Sequence, residues 1–235
     1  MDRPLRSCAL FIAAAGLVLA GCGSAEDSAD DSTGGSGGDG GSSESSDATL
    51  TDKGGVVVTG ADISDDAGDA ESPVEVVVYE DFQCPYCKAL EDASGDYLED
   101  AMEDGDITVE YRVVSFLDKA SANEYSSRAA NAAMCVFDRG GPGAFHEFHE
   151  TLFENQPEEG SAGPDNDQLT AYASDVGVDA ASCIADTAMS DQVVDATKQM
   201  STEGVTGTPT VFVDGEQVDL NSETAVQDAV DAAIG

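Results

Sequence analysis

The sequence predicts an α/β fold in which a helical insertion separates two halves of one sheet, and three stretches carry that prediction. "PVEVVVYED" (73–81) is an almost unbroken apolar run, as a strand covered on both faces requires. A helical period follows it, and then "ITVEYRVV" (107–114), so the order is strand, helix, strand. Residues from about 119 to 202 read only as helices, before "TPTVFVDGEQVDL" (208–220) restores strand character.

The first 21 residues stand outside this fold. Arg3 and Arg6 precede an apolar stretch from Cys8 to Ala20, too short for a stop-transfer helix and suited to a signal h-region. It ends in Leu19-Ala20-Gly21-Cys22, which resembles the lipobox of bacterial lipoproteins. The resemblance implies cleavage before Cys22 and its diacylation; two acyl chains hold a protein stably at a bilayer where one does so only marginally. The alternative is ordinary secretion with cleavage near Ala20.

Residues 22–52 are rich in Gly, Ser and Asp and nearly free of large apolar side chains, so they cannot offset the entropy of ordering. They are expected to form a flexible tether. The chain of 235 residues carries 9 basic and 48 acidic residues, a formal net charge of −39, which argues against nucleic acid and against adhesion to anionic headgroups. The charge reads as a well-solvated face that keeps the protein soluble, with adaptation to a saline or acidic-surfaced environment as the alternative.

The folded domain is expected over 53–235. "GVVVTG" (55–60) reads as an entry or edge strand, and 73–81 as the central strand. From Cys87, apolar residues recur at Leu90, Ala93, Tyr97, Leu98 and Ala101, a helical face that Gly105 ends. In 107–114, Ile107, Val109, Tyr111 and Val113 alternate against Thr108, Glu110 and Arg112, giving one strongly apolar face. Helices are expected over Ser121–Asp138, Gly143–Asn155, Asn166–Val176 and Ala180–Met200, separated by "GGPG", "PEEGSAGP" and "GVD". Asp214-Gly215 marks a two-residue hairpin, and a last helix begins with Asn221 or Ser222 as N-cap.

"DFQCPYC" (81–87) places Cys84 and Cys87 at the carboxyl end of the central strand, where active groups of such sheets gather. A Cys-x-x-Cys pair can be a redox switch, half of a zinc site or an inert staple. At i and i+3 on a first helical turn the two sulfurs can close a disulfide. Pro85 suits the first helical position, which leaves Cys84 at the helix N-terminus. Orphan amides and the positive dipole end there favour a thiolate, a better nucleophile and a better leaving group. Cys87, one turn in, would resolve the mixed disulfide.

Taken in order, "DFQCPYC", "AFHEFHETLFENQ" (144–156) and "GVTGTPTVFV" (204–213) resemble DsbA-like thiol–disulfide oxidoreductases. That resemblance covers roughly residues 55–235 and implies a thioredoxin-like fold with a helical insertion between the two halves of the sheet. It implies exchange with exported proteins through a mixed disulfide on Cys84, a cis Pro209 beside the dithiol, and Thr208 offering its backbone to substrate. Many relatives place a Glu six residues before the first cysteine; here that position is Val78, and Glu80 is the nearest acid on the same strand face by alternation.

Cys135 and Cys183 fall on two helices of the insertion. An exported context and an even count outside the lipid cysteine favour a second disulfide, which would contribute about 4 kcal/mol by loop closure; two buried thiols are the alternative. Cys84 and Cys87 with His146 and His149 have zinc-ligand chemistry, but the pairs are far apart in sequence and the histidines sit in a helix with an apolar Phe145, Phe148, Leu152, Phe153 stripe, so no metal is expected and the histidines read as surface or packing residues. A glutaredoxin-like reading of "CPYC" fits the export signal poorly, and a non-catalytic binding module does not explain the intact dithiol. The expectation is a disulfide oxidase without cofactor, with a reductase or isomerase as the alternative. It would be a monomer on the outer face of a bacterial cell membrane, recycled by a membrane redox partner.

Overall fold

The computed structural model describes residues 50–68 and 72–235. The signal segment, Cys22 and nearly all of the tether lie outside the described residues. Five strands form one mixed sheet: β1 (Val56–Val58), β2 (Val74–Glu80), β3 (Ile107–Val113), β4 (Thr210–Val213) and β5 (Glu216–Gln217), in the order β1-β3-β2-β4-β5. β2 is central, parallel to β3 with Val76 opposite Val109, and antiparallel to β4 with Val76 opposite Val213. β1 and β5 flank antiparallel at the edges.

Continuous β-branched sequence makes β2 a strand buried on both sides. Val74, Val76 and Val78 share the main core with Ile107, Val109, Tyr111 and Val113. Helices α2 (Pro85–Glu103), α3 (Tyr125–Glu154) and α7 (Ala225–Ile234) cover that face, bringing Met102, Phe145, Phe148, Val226 and Val230 into it. Full burial of each such side chain is worth about 1.5–3 kcal/mol. Val77 and Tyr79 point the other way and pack with Met200 of α6 (Ser190–Thr202) and with Val205.

The polar side of β3 is covered as well, although its alternation predicted one apolar face. Glu110 and Arg112 are both buried, their charges paired at 2.7 Å, and Arg112 also reaches Glu203 at 3.0 Å and the Tyr79 hydroxyl. Mutual pairing is what lets these charges leave water.

The "GGPG" break appears as a bend inside α3, where Gly141 takes φ 80, ψ −173 and Pro142 starts the second half. The first half begins at Tyr125 rather than Ser121, whose hydroxyl instead accepts the Tyr125 N–H. α4 (Asn166–Asp175) is capped by the Asp165 carboxylate. The single helix expected over Ala180–Met200 is two, α5 (Ala181–Ala185) and α6, because Thr187 adopts a left-handed φ of 50 between them. α7 starts at Ala225 with Thr224 before it, later than the Asn221 or Ser222 cap expected. Asp214 and Gly215 both have positive φ, the primed geometry that a two-residue hairpin between twisted strands requires.

Two short pieces complete the domain, a single helical turn over Asp118–Ala120 and the helix α1 (Gly60–Ile63). α1 is held by a capping box between Thr59 and Asp62. It lies against the bend of α3 so closely that a Cβ on Gly143 would stand 2.2 Å from the Asp62 carbonyl oxygen.

Candidate active site

β2 ends at Glu80, and a tight turn through Asp81, Phe82 and Gln83 leads to Cys84, the N-cap of α2, with φ −75 and ψ 117. Pro85 occupies the first turn, where a missing N–H removes no intrahelical bond. Cys84 and Cys87 are both reduced, 4% and 2% exposed as residues. From the far half of the chain, Thr208 brings its carbonyl oxygen to 3.4 Å from Cys84 Sγ, and the Thr208–Pro209 peptide bond is cis.

The two thiols differ sharply in acidity. A hydrogen bond from Cys87 is the largest influence on Cys84; burial opposes it, while Thr208 and the amides of Cys87 and Tyr86 add to it, and the thiol is lowered to about 6. At neutral pH it is therefore mainly a thiolate. Burial, then the hydrogen bond and charge of Cys84, push the Cys87 thiol far above the usual thiol range, and Glu80 adds in the same direction. One sulfur is poised to attack or to leave; its partner keeps its proton until the first is consumed.

The turn carrying Cys84 is fastened from two sides. Asp81 is fully buried: its Oδ1 accepts from the Gln83 N–H at 2.9 Å and from the Ser126 hydroxyl, and its Oδ2 accepts from the Leu117 N–H at 2.8 Å. Burial raises the Asp81 carboxyl above its ordinary value, and these donors oppose the rise. Gln156, just past α3, donates its side-chain amide to the carbonyls of Phe82 at 3.1 Å and Cys84 at 2.9 Å. Gln156 closes the stretch "AFHEFHETLFENQ", and nothing local in that sequence marks its role.

Behind Cys87, Glu80 and His149 are both buried, with Glu80 Oε1 2.9 Å from His149 Nε2. Burial alone would lower the imidazole, but the charges of Glu80 and Glu91 outweigh it and raise His149 to about 9. Glu80 thus stands as a buried acid near the thiol even though Val78 occupies the position that relatives give to Glu. His146 and His149 are 4% and 0% exposed, so neither is a surface residue. The period could have shown this for His149, since Phe145, His149 and Phe153 fall at i, i+4 and i+8 on one helix face.

The structure does not gather Cys84, Cys87, His146 and His149 into one ligand set. Among the described residues, the His, Cys and carboxylate side chains close enough together to hold an ion are Glu99, His146 and Glu150, without either cysteine. Cys135, in the first half of α3, is bonded to Cys183, in α5. That disulfide joins two elements of the insertion and is separate from the reactive pair.

Beside the dithiol runs a groove of about 450 Å³, lined by Tyr86, Leu90, Thr208, Pro209, Leu220 and Val226 among others. Tyr86 is 74% exposed and Leu220 36%. A parallel strand end, a helix-capping Cys-x-x-Cys of split acidity and a facing cis-proline loop thus meet at one place on a thioredoxin-type fold.

Comparison with known proteins agrees with that class. The thioredoxin family model matches residues 62–232. Oxidised DsbA of Mycobacterium tuberculosis superposes with a TM-score of 0.66 at 32% identity, covering 77% of this chain and 93% of that one. In sequence, disulfide bond formation protein D of Bacillus subtilis is 34% identical over 92 residues, 39% of each protein. The serine/threonine-protein kinase PknE of M. tuberculosis is 29% identical over 161 residues, 64% of this chain and only 28% of the kinase. The chain belongs to the thioredoxin family, as a DsbA-like protein thiol–disulfide oxidoreductase.

Proposed function

We propose that the protein is a disulfide oxidase acting on exported proteins. The observation that carries this reading is the place of Cys84 at the N-cap of α2, 3.4 Å from the Thr208 carbonyl oxygen, which goes with a thiol pKa lowered to about 6. A stabilised thiolate favours the reduced enzyme over its disulfide, which is what makes a dithiol protein an oxidant. In the working direction the enzyme begins as the Cys84–Cys87 disulfide. A substrate thiolate attacks Cys84 Sγ, the Cys84–Cys87 bond breaks, and Cys87 takes up a proton. A second substrate thiolate then attacks the substrate sulfur of the mixed disulfide and expels Cys84 as the thiolate. Two electrons have passed from substrate to enzyme, and a disulfide-bearing or quinone-linked membrane partner must remove them.

The groove supports a peptide substrate, since Thr208 offers backbone beside the sulfur and Tyr86 and Leu220 offer apolar surface. Residues 208 and 209, with Cys84 and Cys87, are the functional set proposed. The signal-like segment and Leu19-Ala20-Gly21-Cys22 support anchoring through Cys22 on the outer face of a bacterial cell membrane. No helix among the described residues is long and apolar enough to cross a membrane.

The deciding experiment equilibrates the soluble domain with a thiol–disulfide buffer series and assays oxidation of a reduced, unfolded substrate protein. An oxidising potential with restored substrate disulfides is expected; a strongly reducing potential with no oxidase activity would favour the reductase. Cys84→Ser should abolish exchange, and Cys87→Ser, presented with a disulfide-bearing substrate, should be trapped as a mixed disulfide through Cys84. Replacing Cys22 with Ala should release the protein from membranes and remove metabolically incorporated fatty acid; unchanged fractionation rejects the anchor.

A further inference from the structure

Away from the dithiol, the distal part of α2 meets the second half of α3. Glu99 of α2 faces His146 and Glu150, which lie one turn apart on α3, and each offers a ligand atom within 4.8 Å of the other two. Cys84 caps the opposite end of α2, so this cluster is separate from the exchange centre.

His146 is the unusual member. It is 4% exposed, and neither ring nitrogen has a hydrogen-bond partner among the described residues. A buried imidazole without a partner forfeits its hydration, and such groups call for an explanation. Two half-buried carboxylates converge on the same point, and among the described residues no Lys or Arg forms an ion pair with either of them; the cationic group whose charge reaches Glu150 is His149.

We infer that Glu99, His146 and Glu150 form a binding site for a divalent transition cation of the zinc type. One imidazole and two carboxylates match the donors such ions take, whereas calcium and magnesium favour all-oxygen shells. Tetrahedral zinc ligands at about 2.0–2.2 Å from the ion stand about 3.3–3.6 Å from one another, so torsions of the two partly exposed Glu side chains that bring the donors together by up to about 1.5 Å close the set. Three protein ligands leave a fourth position for water. The bound ion neutralises both carboxylates and ties α2 to α3 by a cross-link that involves no sulfur.

This donor set is distinct from the Cys84, Cys87, His146, His149 combination considered from sequence, and it holds whichever way electrons flow at the dithiol. The test uses the full chain with Cys8 and Cys22 replaced by Ser and the Cys84–Cys87 disulfide formed, so that no free thiol competes for metal. Calorimetric titration with zinc chloride near neutral pH should show one saturable site, weakened at least tenfold in Glu99→Gln and in Glu150→Gln. Zinc should raise the thermal midpoint of the parent protein and leave that of both variants unmoved. His146→Ala should also lose the site; if it does not fold, the two Gln variants decide. Absence of a saturable one-to-one site, or weakening in fewer than two of the Gln variants, overturns the site. Tighter binding of calcium than of zinc in a parallel titration overturns the class of cation.

Discussion

The Sγ of Cys84 lies 3.4 Å from the carbonyl oxygen of Thr208, a contact between residues 124 positions apart in the chain. Neither half of the sequence holds both sides of this contact alone. The first supplies the sulfurs and a helix N-terminus; the second supplies the backbone that faces them.

The pH dependence of alkylation follows from Cys84. Its pKa is lowered from about 9 to about 6, so the rate of reaction of the reduced protein with iodoacetamide should rise through a midpoint near pH 6. A midpoint near 8.5, the value of a free thiol, would contradict the site electrostatics. Because the folded value is depressed, the stabilisation is fully present above the unfolded value and is lost as pH falls through about 6. Thermal midpoints of reduced and oxidised protein, compared from pH 8.5 down to 5, should shift progressively against the reduced form.

Replacing Gln156 with Ala removes the donor to the carbonyls of Phe82 and Cys84. Urea unfolding should show a loss of about 1–2 kcal/mol. Exchange with a small dithiol should slow at the same time, because the turn that aims Cys84 loses a tie. Unchanged stability and rate together would mean that Asp81 alone suffices.

Opening the second disulfide with Cys135→Ser and Cys183→Ser should lower stability by about 4 kcal/mol, the loop-closure value for residues 48 apart. The dithiol lies elsewhere, so the potential of the Cys84–Cys87 couple should stay unchanged in the surviving folded protein. A shifted potential would reveal coupling between the insertion and the sheet.

Tyr86→Ala strips the most exposed apolar side chain from the groove beside the sulfur. Oxidation of an unfolded protein should fall several-fold in kcat/KM, while exchange with a small-molecule dithiol should hardly change. Equal loss for both substrates would place the effect on the thiolate rather than on peptide binding.

Gly143→Ala should destabilise the domain, since the new methyl would stand 2.2 Å from the Asp62 carbonyl oxygen and α1 would have to move. A melting curve unchanged from the parent would show that α1 yields freely.

Local pattern made much of this architecture legible. The β-branched run of β2, the period of α2 and the Asp214-Gly215 turn each contain their own cause. Pairing across distance does not. Alternation showed that Glu110 and Arg112 share a face of β3, but only the placement of Tyr79 and Glu203 lets that face be covered. Thr187 broke a helix where its neighbours offered no Gly or Pro to announce the break. Gln156 and His149 took their places through contacts with a turn and a strand end that lie far upstream. The reactive cysteines could be read because a helix start acts on them locally; their supports could not.

The Cys135–Cys183 bond gives the domain a biogenesis problem. A newly made, reduced chain presents four thiols among the described residues, and four cysteines admit three pairings. Only the pairing that joins 135 to 183 leaves a working couple at 84 and 87. The protein is thus a client of the reaction its class performs, and an early copy, or another oxidant, must have served it before it could serve others.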